Sequence, residues 1–185
     1  LMQVKKLKLA LRIYNEAKAK FPNNEKLFKP AFWLYYHVIN FYKEKRDYKN
    51  MLIFHAKLYA LARPTNLIWR EGRTYKQFSV SKIHVDIYSE LSKICPYYKK
   101  FNEHQRRQAY SLYRNVKRYL PIDLDFIRVN LLGKILYREN EIRAAKLTLD
   151  KAYKLLINSE FGRKYKGIVI RLPFMLKGYY VAVNN

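Results

Sequence analysis

The stretch from Glu103 to Tyr119 holds the densest set of side chains suited to meeting an anion: Arg106, Arg107, Arg114, Lys117 and Arg118, with Tyr110 among them. An arginine presents a planar fork of donors that matches a phosphate, and a lysine presents a mobile point charge. A tyrosine beside such cations adds a ring face on which an unpaired base can stack. Wound at 100° per residue, Ala109, Leu112, Val116 and Leu120 form one apolar stripe. Arg107, Arg114 and Arg118 then line up opposite, with Arg106 and Lys117 on one flank beside Tyr110. Glu103, at the start, is the only acid within this helix, so the pattern predicts cations that lack i,i+4 carboxylate partners and are open to a ligand. The plainer reading of the same residues is a solvated helix face with Tyr110 partly buried.

A second basic run, Arg163, Lys164 and Lys166, stands between Gly162 and Gly167 at the predicted start of the last helix. Glycine permits close backbone approach, and a helix N-terminus attracts anions. A loop is the equal alternative. Lys43, Lys45, Arg46 and Lys49 make a third patch around an inter-helix turn at Asp47. Catalytic patterns are weak by comparison. His37, His55, His84 and His104 are dispersed, and none stands at zinc-ligand spacing from another His, Cys or acid. Asp123 and Asp125 read as helix-capping residues rather than an acid–base pair. Neither a glycine-rich nucleotide loop nor a nucleophile elbow is present. A non-enzymatic chain with no cofactor and no metal is the expectation.

The elements that carry these residues are helices throughout. Val4, Leu7, Leu11, Tyr14, Ala17 and Phe21 recur at three- and four-residue steps. Proline and asparagine then punctuate the chain. The predicted helices are Val4–Lys20, Glu25–Lys43 with Pro30 near its start, Asp47–Ala62 with Asp47 as N-cap, and Thr74–Lys93. They continue with Glu103–Tyr119 capped by Asn102, Asp123 or Asp125 to Tyr137, Glu141–Ile157, and Lys164–Val181 bent or split at Pro173. That predicts an all-α chain of about eight helices and no sheet, in one domain over residues 1–185 that is least regular at 65–102.

Composition sets the partner class. Half of the 185 residues are apolar and 16% are aromatic, which gives ample core material and argues against disorder. Most of the tyrosines, Tyr35, Tyr36, Tyr42, Tyr48 and Tyr59 among them, are expected to pack between helices with hydroxyls at the surface. Tyr97 and Tyr98, after Pro96, are expected to be open to a partner. Lys and Arg total 38 against 14 acids, for a net charge of +24. The excess is spread along the chain, so the folded body itself is basic. Such a body repels itself unless something anionic covers it. Nucleic acid, which adds counterion release, is the leading candidate, and an anionic membrane surface is its rival. The lone Cys95 excludes an intrachain disulfide and permits a reducing compartment. No apolar run approaches the length of a membrane span; Gly167 to Val183 is interrupted by Arg171, Pro173 and Lys177. The N-terminal residues LMQVKKLKLALRIY do not form a secretory signal, because charges recur through their apolar stretch.

Three stretches resemble tetratricopeptide or half-tetratricopeptide repeats, clearest over residues 7–64 and 127–158. In the first, Ala10, Tyr14, Ala17 and Pro22 stand at the spacing of a repeat's second helix, and the run Ala10 to Ala17 is similar to the half-repeat form common in RNA-processing factors. The second spans Phe32 to Pro64, with Trp33 and Tyr35 in its first helix and Asp47-Tyr48 at its turn. The third spans Ile127 to Asn158, with Leu132-Gly133, Ala145 and Ala152 at the family's spacing. Met51 and Leu58 replace the small residues of the second unit, the turn glycine is absent, and residues 65–120 match no unit. The order Leu132-Gly133, Ala145, Ala152, Ile168 to Pro173 and Gly178 also resembles the helical part of PCI-domain proteins, subunits of the proteasome lid, the signalosome and the messenger-RNA export machinery, although their winged-helix half has no counterpart here. These resemblances imply an α-solenoid of paired helices and say little about function. Taken with the charge, the expected role is a basic scaffold in a ribonucleoprotein particle, ribosomal or organellar-ribosomal. Its partners would be structured ribosomal or other particle RNA and neighbouring proteins. The alternatives are a PCI or mRNA-export scaffold and a peripheral membrane-surface protein. The compartment is left open between mitochondrial or other organellar matrix, cytoplasm and nucleus.

Overall fold

The computed structural model describes residues 2–62, 74–96 and 99–164. Among these the chain is all-α, with no sheet. The helices are α1 (Met2–Lys20), α2 (Phe28–Glu44), α3 (Tyr48–Ala62), α4 (Tyr75–Ile94), α5 (Glu103–Tyr119), α6 (Asp125–Arg138), α7 (Ile142–Asn158) and α8 (Glu160–Lys164). Short 3-10 turns at Glu25–Leu27 and Ile122–Leu124 lead into α2 and α6. Contacts gather into two compact units, Leu1–Ser81 and Lys82–Asn185, which divide inside α4.

Several boundaries follow from local chemistry. Pro30 occupies the third position of α2, where a missing N–H costs nothing. Asp47 caps α3 by accepting from Asn50 N–H at 3.1 Å. Asn102 and Gln105 form a reciprocal capping box at the start of α5. The turns α2–α3 and α6–α7 share one design. The N–H of Asp47 donates to the Tyr42 carbonyl and that of Arg46 to Lys43; likewise Glu141 donates to Leu136 and Asn140 to Tyr137. Each is a Schellman ending, which needs a left-handed residue. Arg46 (φ 55°) and Asn140 (φ 68°) take that position.

In the first unit α2 and α3 enclose Phe32, Val38, Ile39, Met51, Leu52 and Leu58, all essentially inaccessible. Tyr75 extends this core by setting its ring edge-on to Phe28 and Phe32, at centroid distances of 4.9 and 4.8 Å. Tyr59 is buried, and Tyr35, Tyr36, Tyr42 and Tyr48 are half-buried as expected. Burial, with Tyr14 beside it, pushes the Tyr35 phenol up to about 12. The stripe expected of α1 ends early: Leu7, Leu11, Tyr14 and Ala17 are half-buried, but Phe21 is 58% exposed.

In the second unit α6 packs against both α5 and α7. Gly133, Ala145 and Ala152 are buried there. A Cβ placed on Gly133 would come within 2.7 Å of Leu149 Cδ2, so the small residue sets how closely α6 and α7 approach. Phe161 of α8 stacks on Phe126 at 6.2 Å. One face of α6 buries polar groups one turn apart, Asn130, Lys134 and Arg138. Lys134 Nζ lies 3.5 Å from the ring centroid of Tyr88 on α4. Burial, and then the charge of Arg138, lower Lys134 to about 7.

Candidate nucleic-acid interface

α5 has the bounds its sequence predicts, and its apolar stripe is the core stripe: Ala109, Leu112 and Val116 are inaccessible, and Leu120 is half-buried. Arg106, Arg107, Arg114, Lys117 and Arg118 are all exposed. The helix rise puts Arg114 and Arg118 about 6 Å apart along the axis, with Arg107 about 10 Å before Arg114.

The two ends of this face differ. At the N-terminal end the cations are engaged. Arg107 Nε lies 3.6 Å from Glu103 Oε1, an exposed i,i+4 pair that corrects the expectation of none; Glu103 stands four residues before Arg107 and was within reach all along. Such a pair is worth about 0.3–0.5 kcal/mol and leaves the guanidinium open to competition. Arg106 Nε lies 2.6 Å from Glu139 Oε1, on the loop after α6. The Tyr110 hydroxyl donates to Glu139 Oε2 at 2.8 Å. Burial, and then this bond, push the phenol up to about 12, while Arg106 acts in the opposite sense. Tyr110 is thus half-buried and tethered, and it fastens α5 to α6.

The C-terminal end carries no acid on its exposed face. Arg114 and Lys117 have no ion-pair partner among the described residues. Arg118 places its guanidinium 5.6 Å from the Tyr119 ring centroid. Lys117 and Arg118 also fall in the last turn, where cations favour the helix dipole by about 0.3–1 kcal/mol. Below them, Arg128 of α6 grips both oxygens of Asp125 and donates from Nη1 to the Tyr113 hydroxyl at 3.0 Å. The Asp125 carboxyl is held below its usual range, chiefly by this guanidinium.

Arg163 and Lys164 are exposed, but α8 begins at Glu160. They therefore follow the helix start instead of opening it, which corrects the expected helix N-terminus. The close approach allowed by Gly162 is internal: a Cβ there would come within 1.9 Å of the Leu156 carbonyl oxygen. Its N–H donates to Ser159 Oγ at 2.9 Å, a local cap that sets the helix start. No hydrogen bond or ion pair joins Arg163 or Lys164 to α5 among the described residues. Lys166, Tyr97, Tyr98 and almost all of the expected helix Lys164–Val181 lie outside the described residues. The patch at Lys43, Lys45, Arg46 and Lys49 belongs to the first unit, on the turn that Arg46 shapes.

Glu139 and Arg128 are site residues that the sequence does not flag, since they meet α5 only through its packing on α6; Tyr113, on α5 itself, joins them by accepting from Arg128. Among the described residues no three His, Cys, Asp or Glu side chains gather as a metal site, and no helix is long and apolar enough to cross a membrane. Comparison with protein-family models gives no match, and comparison with curated proteins and with solved structures gives no significant match.

Proposed function

We propose that this chain is a non-catalytic, basic helical scaffold of a ribonucleoprotein particle, holding RNA by its backbone and touching neighbouring proteins. The observation that carries the reading is the exposed row Arg107, Arg114 and Arg118, on the side of α5 opposite Ala109, Leu112 and Val116, with Lys117 on its flank, in a chain of net charge +24. A rigid helix that presents cations one and two turns apart suits phosphates along a backbone, and the counterions they release supply the affinity. Arg163, Lys164 and Lys166 serve as a second, separate contact. Tyr110 positions the face by tying α5 to α6. Purification from the source cell at low salt tests the particle: ribosomal RNA with ribosomal proteins is the expected companion set.

A second reading is a scaffold of the PCI or mRNA-export kind. It is favoured by the placement of Gly133, Ala145 and Ala152, residues that carry the resemblance, in the close contact of α6 with α7. Under it, the same purification yields a discrete protein complex without ribosomal RNA.

A further inference from the structure

The turn between α5 and α6 is built unlike the rest of the basic face. Pro121 leads into the 3-10 turn Ile122–Leu124, and Ile122 stands 90% exposed at its tip. Fully presenting a large apolar side chain costs the free protein the hydration free energy that a partner would recover. Beside Ile122 lies a cleft of about 220 Å³ whose walls include Leu120, Pro121 and Ile122, with Lys117 at its lip and Asp125 and Arg128 also lining it. Pockets for whole small molecules measure about 300–1,000 Å³, so this smaller space suits one flat ring system. The walls are apolar, as a ring face requires. Each Asp125 oxygen accepts from Arg128, and an ionised carboxylate has about four lone-pair sites, so acceptor capacity remains for an N–H on the edge of a ring. Of the exposed cations of α5, Lys117 lines the cleft and calls for an anion attached to that ring.

We propose that this cleft is a base-binding subsite for single-stranded RNA, in which one unpaired nucleobase lies against Ile122 and Leu120 while its adjoining phosphate rests on Lys117. The assignment deepens the RNA-scaffold reading and rests on it. The base face meets the apolar walls, and an amino or imino N–H of its edge donates to Asp125. Duplex RNA, whose bases are stacked and paired, contacts the cations alone. The site adds a preference for unpaired strands to a helix face that reads only charge.

The test compares an unstructured single-stranded oligoribonucleotide with a duplex of the same sequence at fixed salt. Ile122→Ser, at a side chain with almost no packing to lose, is expected to weaken single-strand binding roughly five- to tenfold and to leave duplex binding unchanged. Ile122→Val should restore the preference. Lys117→Gln should weaken both ligands and reduce the salt slope by about 0.7–0.9. Equal losses on both ligands, or none on either, with the parent still binding RNA, overturn the base site and leave the scaffold reading standing. A parent that binds neither ligand at low salt overturns both. If RNA binding ignores Ile122→Ser while an acidic peptide with one central Phe binds the parent and not the variant, the cleft docks protein and the proposal falls.

Discussion

The helix pairs α2–α3 and α6–α7 use one turn and two kinds of packing. Both close with the same Schellman hydrogen bonds and a left-handed residue. The first pair buries mostly bulk, Ile39, Met51, Leu52 and Leu58, with Ala31 and Ala62 as its small residues. The second places Gly133, Ala145 and Ala152 at its contact, with Gly133 against Leu149. The turn sets the hairpin, and residue volume sets how the helices meet. The second pair also buries a row of three polar side chains, Asn130, Lys134 and Arg138, where the first buries His55 alone among the described residues.

Opposite substitutions should therefore break the two pairs. Met51→Ala removes volume from a full core and should cost about 2–5 kcal/mol. Ala145→Leu adds volume to a tight contact and should cost about 1–3 kcal/mol. Denaturant titration of each variant reads both, and an Ala145→Leu protein as stable as its parent would mean that α6 and α7 are not closely seated.

The polar face predicts a pH dependence with a definite sign. Lys134 titrates near 7 in the folded chain and near 10.4 when unfolded. Between those values the unfolded chain holds one proton more, so stability rises with pH, by up to about 1.4 kcal/mol per unit. Below about 7 both states are charged and this dependence vanishes. Lys134→Met should flatten the rise in melts recorded from pH 7 to 10; an identical rise in the variant would assign it to other groups.

The smallest effect belongs to the shared turn. A left-handed conformation costs a side chain such as arginine about 1–2 kcal/mol and asparagine less. Allowing for the entropy glycine loses on folding, Arg46→Gly should gain about 0.5–1 kcal/mol and Asn140→Gly less. A larger gain at Asn140 would contradict the strain assigned to Arg46.

How much of this the sequence discloses depends on range. The bounds of α5, its buried stripe and its Asn102 cap are local, so a 3.6-residue period and one capping residue suffice. The Asp47 cap is legible for the same reason. The Tyr110–Glu139 bond spans 29 residues and exists only because α5 lies on α6. Lys134 and Arg138 look like surface cations until that packing buries them. The start of α8 is legible in principle, since Ser159 precedes Gly162 at N-capping spacing. The exposure of Ile122 has no local signal, because an isoleucine after proline is as readily buried as presented.

The proposed RNA contact requires the cations of α5 to meet phosphate. Replacing Arg107, Arg114 and Arg118 together with Gln leaves the buried stripe untouched, so circular dichroism should show the parent fold. RNA affinity, measured against salt concentration, should then fall for all sequences alike, and the log–log slope should drop by about two units or more, at roughly 0.7–0.9 per lost phosphate contact. A folded triple variant with the slope of its parent would remove α5 as the RNA-binding face.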